Sequence, residues 1–166
     1  TTLAEMCDSR FLLGLGVSHA PLVEGLRQLD YSKPLSAMRN YLTAMKNSPY
    51  TSVPPSEDPP CVLAALGPKM MELAARRTDG VHPFNSPPEH TQWARDLLGP
   101  DSWICTAQHV CNTTDPERAR AAARKALEFY FVTPNHYNNW LRVGYTKDDL
   151  ENGGSDRLID ALVAWG

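Results

Sequence analysis

Ser18 and His19 carry the first chemistry legible in the chain, because they close the run Arg10-Phe-Leu-Leu-Gly-Leu-Gly-Val-Ser-His19. A hydroxyl followed by an imidazole can hydrogen-bond a ligand edge, and an imidazole can accept or release a proton near neutrality, so His19 is a candidate general base. The residues ahead of them read as a buried strand. Alternation puts Leu13, Leu15 and Val17 on one side and Gly14, Gly16 and Ser18 on the other. A face bare of side chains either lets a flat molecule lie against the backbone or only makes room for a neighbouring side chain. Gly67-Pro68-Lys69-Met70 is the second chemical feature. It follows an apolar run and starts a helix, so its unpaired N–H groups and the helix dipole favour an anion, unless it is an ordinary helix start. Lys69 either adds a charge there or faces solvent. His82 closes a further short strand and points to the same end of the sheet, as a pocket residue or a structural one.

These groups need elements to hold them. Beyond the first strand, Pro21 to Leu29 reads as a loop. Pro34 opens a helix to about Lys46 with Leu35, Met38, Leu42 and Met45 at helical spacing. The stretch 47–60 is rich in proline, serine and acid and reads as a loop, with a lid over a site as the functional alternative. Val62 to Leu66 is a continuous apolar run, as in a strand covered on both faces. Pro68 then starts a helix that reaches Arg77, and Asp79-Gly80 turns the chain into the strand 81–84. Glu89 to Leu98 is a helix closed by Gly99-Pro100, and Trp103 to Cys111 is a fourth strand. Asp115, Pro116 and Glu117 form a helix start, and that helix extends to about Phe131. Thr133 to Asn139 reads as a break, 140–150 as helical or irregular, and Ser155 or Asp156 as the cap of a last helix ending at Trp165-Gly166. Strands alternating with helices predict parallel βαβ units in a single α/β domain over 1–166, with the last helices in 133–166.

Composition narrows the function classes. A net charge of −3 and a pI near 5.9 leave no basic footprint for nucleic acid or an anionic membrane surface. No apolar run reaches membrane-spanning length and no leader-like segment opens the chain, so a cytoplasmic location is expected. Cys7, Cys61, Cys105 and Cys111 lack CxxC spacing and read as reduced core thiols, and the histidines lack paired metal-ligand spacing, so no metal is expected.

Five stretches together resemble one family. They are RFLLGLGVSHAP (10–21), VLAALGPKMMELAARRTDGVHPF (62–84), PPEHTQWARDLLGP (87–100), TDPERARAAARKAL (114–127) and GGSDRLIDALVAWG (153–166). In this order they resemble the bacterial-luciferase-like flavin- and deazaflavin-dependent oxidoreductases. The resemblance implies a TIM barrel with its cofactor at the C-terminal ends of the strands. A whole barrel takes roughly 250 residues, whereas this chain has 166. The expectation is therefore a partial barrel of about four parallel strands, the family's central segment, open unless another chain completes it. Open strand edges predict a homo-oligomer or a strand-completing partner.

By the same resemblance the cofactor is deazaflavin coenzyme F-420, with FMN as the alternative. Its phosphate would sit at Gly67, Pro68, Lys69 and Met70 and its ring against Gly14, Gly16 and Ser18. His19 would be the catalytic candidate, His82 a substrate-pocket residue, and Tyr137 to Trp140 a segment near the pocket mouth or a subunit contact. The implied activity is hydride transfer or oxidation on a small organic substrate. The alternative is a non-catalytic half-barrel that keeps the anion-binding corner or associates with a partner chain.

Overall fold

Leucine and valine at alternate positions put one apolar face on a parallel sheet, and that face organises the first two thirds of the chain. The computed structural model describes residues 2–166. A short helix α1 (Thr2–Met6) precedes strand β1 (Leu13–Leu15), and helix α2 (Pro34–Asn47) follows it. Then come β2 (Cys61–Leu63), α3 (Pro68–Arg77), β3 (Gly80–Val81), α4 (Pro88–Leu98) and β4 (Trp103–Ile104). These strands lie in the order β1-β2-β3-β4, all parallel, with Leu15, Leu63, Val81 and Ile104 in line across the sheet. Paired residues in a parallel ladder share a face. The line therefore packs as a unit against Met38, Leu42, Met71, Ala74 and Ala94 of α2, α3 and α4.

The opposite face carries Gly14, Val62, Gly80 and Trp103 in one row. Gly80 is obligatory there: a Cβ would lie 2.1 Å from the Trp103 carbonyl oxygen, inside any van der Waals limit. Hydrogen bonds from the Ala64, His82 and Cys105 amides to the Leu15, Leu63 and Val81 carbonyls carry the ladder one step further. The next row on this face is thus Gly16, Ala64, His82 and Cys105. Gly14, Gly16, Ala64 and His82 are exposed while Val62 and Gly80 are buried, so the side that faces inward in a closed barrel is open only in part.

The last third forms a second apolar cluster. Strand β5 (His109–Cys111) leads into α5 (Pro116–Phe131), α6 (Pro134–Arg142), α7 (Lys147–Leu150), α8 (Asp156–Leu162) and β6 (Val163–Trp165), which pairs in parallel with β5. Leu127, Trp140, Tyr145, Leu158, Ile159 and Leu162 fill its centre. Arg120 and Arg124 on α5 bind Asp156 and Asp160 at the start and end of α8.

Four local readings differ from the structure. The expected fourth strand Trp103 to Cys111 is interrupted after Ile104, and its two ends enter different sheets as β4 and β5. The helix α5 does end at Phe131, but the break expected over Thr133 to Asn139 is confined to Val132 and Thr133, because Pro134 starts α6 in the position where a missing N–H costs nothing. Pro21–Leu26 is a wide π-type helical turn rather than a loop. The final helix stops at Leu162, and Val163–Trp165 leaves it to extend along β5. Among the described residues no helix is long and apolar enough to cross a membrane.

Candidate functional site

The C-terminal ends of β1, β2 and β3 open into a cavity of about 320 Å³. Its floor is Ala64, Ala65, Leu66 and Phe84 from the strand ends, with Val17 and Ser18 beside them. Ser18 sits at φ 64°, a left-handed conformation that a non-glycine residue adopts at some cost, and its carbonyl accepts a hydrogen bond from the Tyr31 hydroxyl at 2.7 Å. This reversal turns the chain out of β1 and swings His19 onto the cavity wall. The His19 carbonyl then accepts from the Leu22 and Val23 amides, which start the helical turn that follows.

Helix α6 supplies the opposite wall through Asn135, His136, Asn138 and Arg142. Asn135 donates from its amide to His19 Nδ1 at 3.4 Å. His136 is 1% exposed, and its Nδ1 shares a 3.0 Å hydrogen bond with the Thr133 hydroxyl. Burial pushes the His136 imidazole down to about 4; neighbouring His19 adds to the shift and the Phe84 carbonyl opposes it. Burial also lowers His19, whose ring lies 5.3 Å from that of His136. Both rings are therefore neutral at neutral pH.

α6 is held over the strand ends by a buried tie. The Trp140 indole N–H donates to the Asn85 carbonyl at 2.9 Å, and Asn85 Oδ1 accepts from His109 Nε2 at 2.7 Å. Asn85 itself is left-handed, at φ 50°. Arg142, at the end of α6, stacks 5.6 Å from the Trp93 ring and donates to Asn139 Oδ1. No ion pair among the described residues uses it.

Gly67 and Met70 bring the start of α3 to the same cavity. The Met71 amide donates to the Gly67 carbonyl as the first helical bond, so the Lys69 and Met70 amides precede the hydrogen-bonded turn. The first turn of α3 holds no acid. His90 on α4 fixes the approach: its Nε2 donates to the Leu66 carbonyl at 3.2 Å. Burial keeps His90 below its usual range, the Leu66 bond opposes this, and the Arg142 charge adds to it.

Of the residues singled out in the sequence, the structure brings Ser18, His19, Gly67, Met70 and His82 to this cavity. Gly14, Gly16, Pro68 and Lys69 do not line it. Gly16 meets a neighbour, since a Cβ there would stand 3.0 Å from Ala64 Cβ. Lys69 turns to a separate surface hollow with Arg39, Glu72 and Arg76. In the segment 137–140, Asn138 reaches the cavity and Trp140 is buried beneath it. Sequence reading missed Asn135, His136 and Arg142. Their signal was the polar spacing of 135, 138 and 142, which shares one helical face once Pro134 is taken as a helix start. Among the described residues no cluster of three or more metal-ligating side chains occurs.

The family model described as luciferase-like monooxygenase matches residues 1–163. A Mycobacterium tuberculosis protein named as a coenzyme F420-dependent oxidoreductase is 27% identical over 227 residues, covering 99% of this chain and 65% of its own length. The chain thus spans about two thirds of the curated relative it matches.

Proposed function

The chain belongs to the luciferase-like monooxygenase family, and from that premise we propose that it is an oxidoreductase holding the deazaflavin coenzyme at the C-terminal ends of its strands. The residues present fit a phosphorylated flat ligand. Gly67 has no heavy atom within 4 Å of the place a Cβ would take, so its backbone is open to a ligand. The Met70 amide and the Arg142 guanidinium, which has no ion-pair partner among the described residues, would hold the phosphate. Ala64, Leu66 and Phe84 give the ring an apolar floor, and Ser18 and His19 offer polar groups to its edge. When bound, the coenzyme supplies the hydride chemistry, while the chain binds, orients and excludes water. The name of the M. tuberculosis relative favours deazaflavin; FMN would use the same phosphate corner.

One observation carries this reading: a single hollow joins the start of α3, an arginine outside any ion pair and apolar side chains at the strand ends. Fluorescence titration with the deazaflavin coenzyme, FMN and riboflavin tests it. Arg142→Gln is expected to weaken the phosphorylated ligands about tenfold, the scale of a lost charge-assisted hydrogen bond, and to leave riboflavin nearly unchanged. Absence of saturable binding by both phosphorylated ligands would end the reading.

The partly open inner face supports a second reading, in which this chain binds the coenzyme but turns over only when the barrel is completed. The free edge of β1 offers unpaired backbone groups to a second copy or to a strand-donating chain. Sedimentation is expected to give a mass above 18.4 kDa for the chain alone or with its partner. A monomer with full turnover would remove this reading.

A further inference from the structure

Four cationic side chains, Arg39, Lys69, Arg76 and Arg77, and one carboxylate, Glu72, line a hollow of about 460 Å³ between the outer faces of α2 and α3. They give it a charge of +3 in a chain whose net charge is −3. Elsewhere such cations are matched, since Arg120, Arg124 and Arg157 each pair with an aspartate at 3.2 Å or less. In the hollow the Glu72–Arg76 pair is stretched to 3.9 Å. Among the described residues no side-chain hydrogen bond or ion pair uses Arg39 or Lys69.

Helix electrostatics sharpen the imbalance, because acids favour a helix start and bases a helix end. Arg76 and Arg77 in the last turn of α3 obey that rule and by themselves need no ligand. Lys69 breaks it. It is the second residue of α3, whose first turn holds no acid and whose start has no side-chain cap. Leu35, the second residue of α2, lines the same hollow, and that helix also starts without a cap or an acid. Two bare helix starts thus add positive potential to one end of a cationic groove. Lys69 and Arg76 share a face of α3 seven residues apart, about 10 Å along its axis. At the far end Arg77 reaches across to α2 and donates to the Thr43 hydroxyl at 3.2 Å.

We propose that this groove binds a linear triphosphate group, free or on an organic carrier, at a site separate from the coenzyme. A single phosphate serves one end of the groove, whereas three in line bring several negative charges along it. Arg39 and Arg76 would take phosphate oxygens through paired N–H groups, with Lys69 as a point charge beside the helix starts. Met70 faces the coenzyme cavity and Lys69 the hollow, so the first turn of α3 has one ligand on each side.

Calorimetric titration with tripolyphosphate, on the chain with and without coenzyme, tests the assignment. One saturable site is expected in both, weakened by added salt, with orthophosphate and citrate at least about tenfold weaker. The double variant Arg39→Gln with Arg76→Gln should lose about a hundredfold in affinity, two charge-assisted contacts, while Arg142→Gln should lose nothing. Both changes in the double variant are at exposed side chains, and an unshifted melting curve checks that the fold is kept. Adenosine triphosphate run in parallel separates the two sources: tighter binding than tripolyphosphate assigns a carrier that also uses Leu35 and Leu73, and equal or weaker binding assigns the bare chain. No saturable binding, or citrate equal to tripolyphosphate, would overturn the proposal. So would a loss in Arg142→Gln in place of the double variant, because the anion would then sit in the coenzyme's phosphate corner. Failure of the coenzyme to bind would sink the oxidoreductase reading and leave this result standing.

Discussion

At the scale of single residues, His136 makes the sharpest prediction. In the unfolded chain its imidazole titrates near 6.5, and in the fold near 4. Above about pH 6.5 the ring is neutral in both states and stability is at its full value. As pH falls from there toward 4, the unfolded chain takes up the proton first, so folding loses stability throughout that window; below it the loss is complete. The gap between the two values corresponds to about 3 kcal/mol. Denaturant titrations at neutral and acid pH should show this loss in the wild type and a flatter profile in His136→Gln. An equal acid loss in both would mean that other groups carry it. The sequence made Ser18, His19, Gly67, Met70 and His82 legible because each lies just past a strand or at the helix start that follows one, and both follow from local pattern. His136 and Arg142 were hidden because only tertiary packing brings α6, more than a hundred residues after His19, across the cavity from it.

At the scale of elements, helix starts were the most readable feature. Helices α2, α3, α4, α5 and α6 each begin with a proline at the first position, and of these α5 alone adds a side-chain cap. Asp115 accepts from the Glu117 and Arg118 amides there. Asp115→Ala is expected to cost about 1 kcal/mol, read as a lower thermal midpoint with the cavity unaffected. Gly80→Ala should cost more, at least about 2 kcal/mol, since the new methyl drives β3 from β4. A melting curve indistinguishable from wild type would show that the sheet can yield at that point. Strand β6 escaped the sequence because Leu162-Val163-Ala164-Trp165 continues the apolar pattern of its helix, and its pairing with β5 joins residues more than fifty positions apart. The reading of Thr133–Asn139 as a break held at Thr133 and ran too long, because Pro134 also starts a helix.

At the scale of the whole molecule, parallel strand pairing was readable from the alternation of strand and helix, while the partial barrel was what the family resemblance implied, and the structure has four parallel strands in one sheet. The division into two apolar clusters was not readable, because which helices share a core depends on contacts that no local pattern encodes. The cavity lies on the boundary between these clusters, with its floor on the sheet and one wall on α6. Polar ties cross that boundary too, among them the Trp140 indole on Asn85, His109 on the Asn85 side chain, Asn135 on His19, the Tyr145 hydroxyl on Glu89, and the Gln108 amide on the Leu162 carbonyl. A small molecule lodged there grips both halves at once and acts as mortar between them. Its occupancy should therefore register as heat resistance, about 2.7 kcal/mol at a hundredfold excess over Kd. Scanning calorimetry should then see two overlapping melting events in the empty protein merge into one when the crevice is filled.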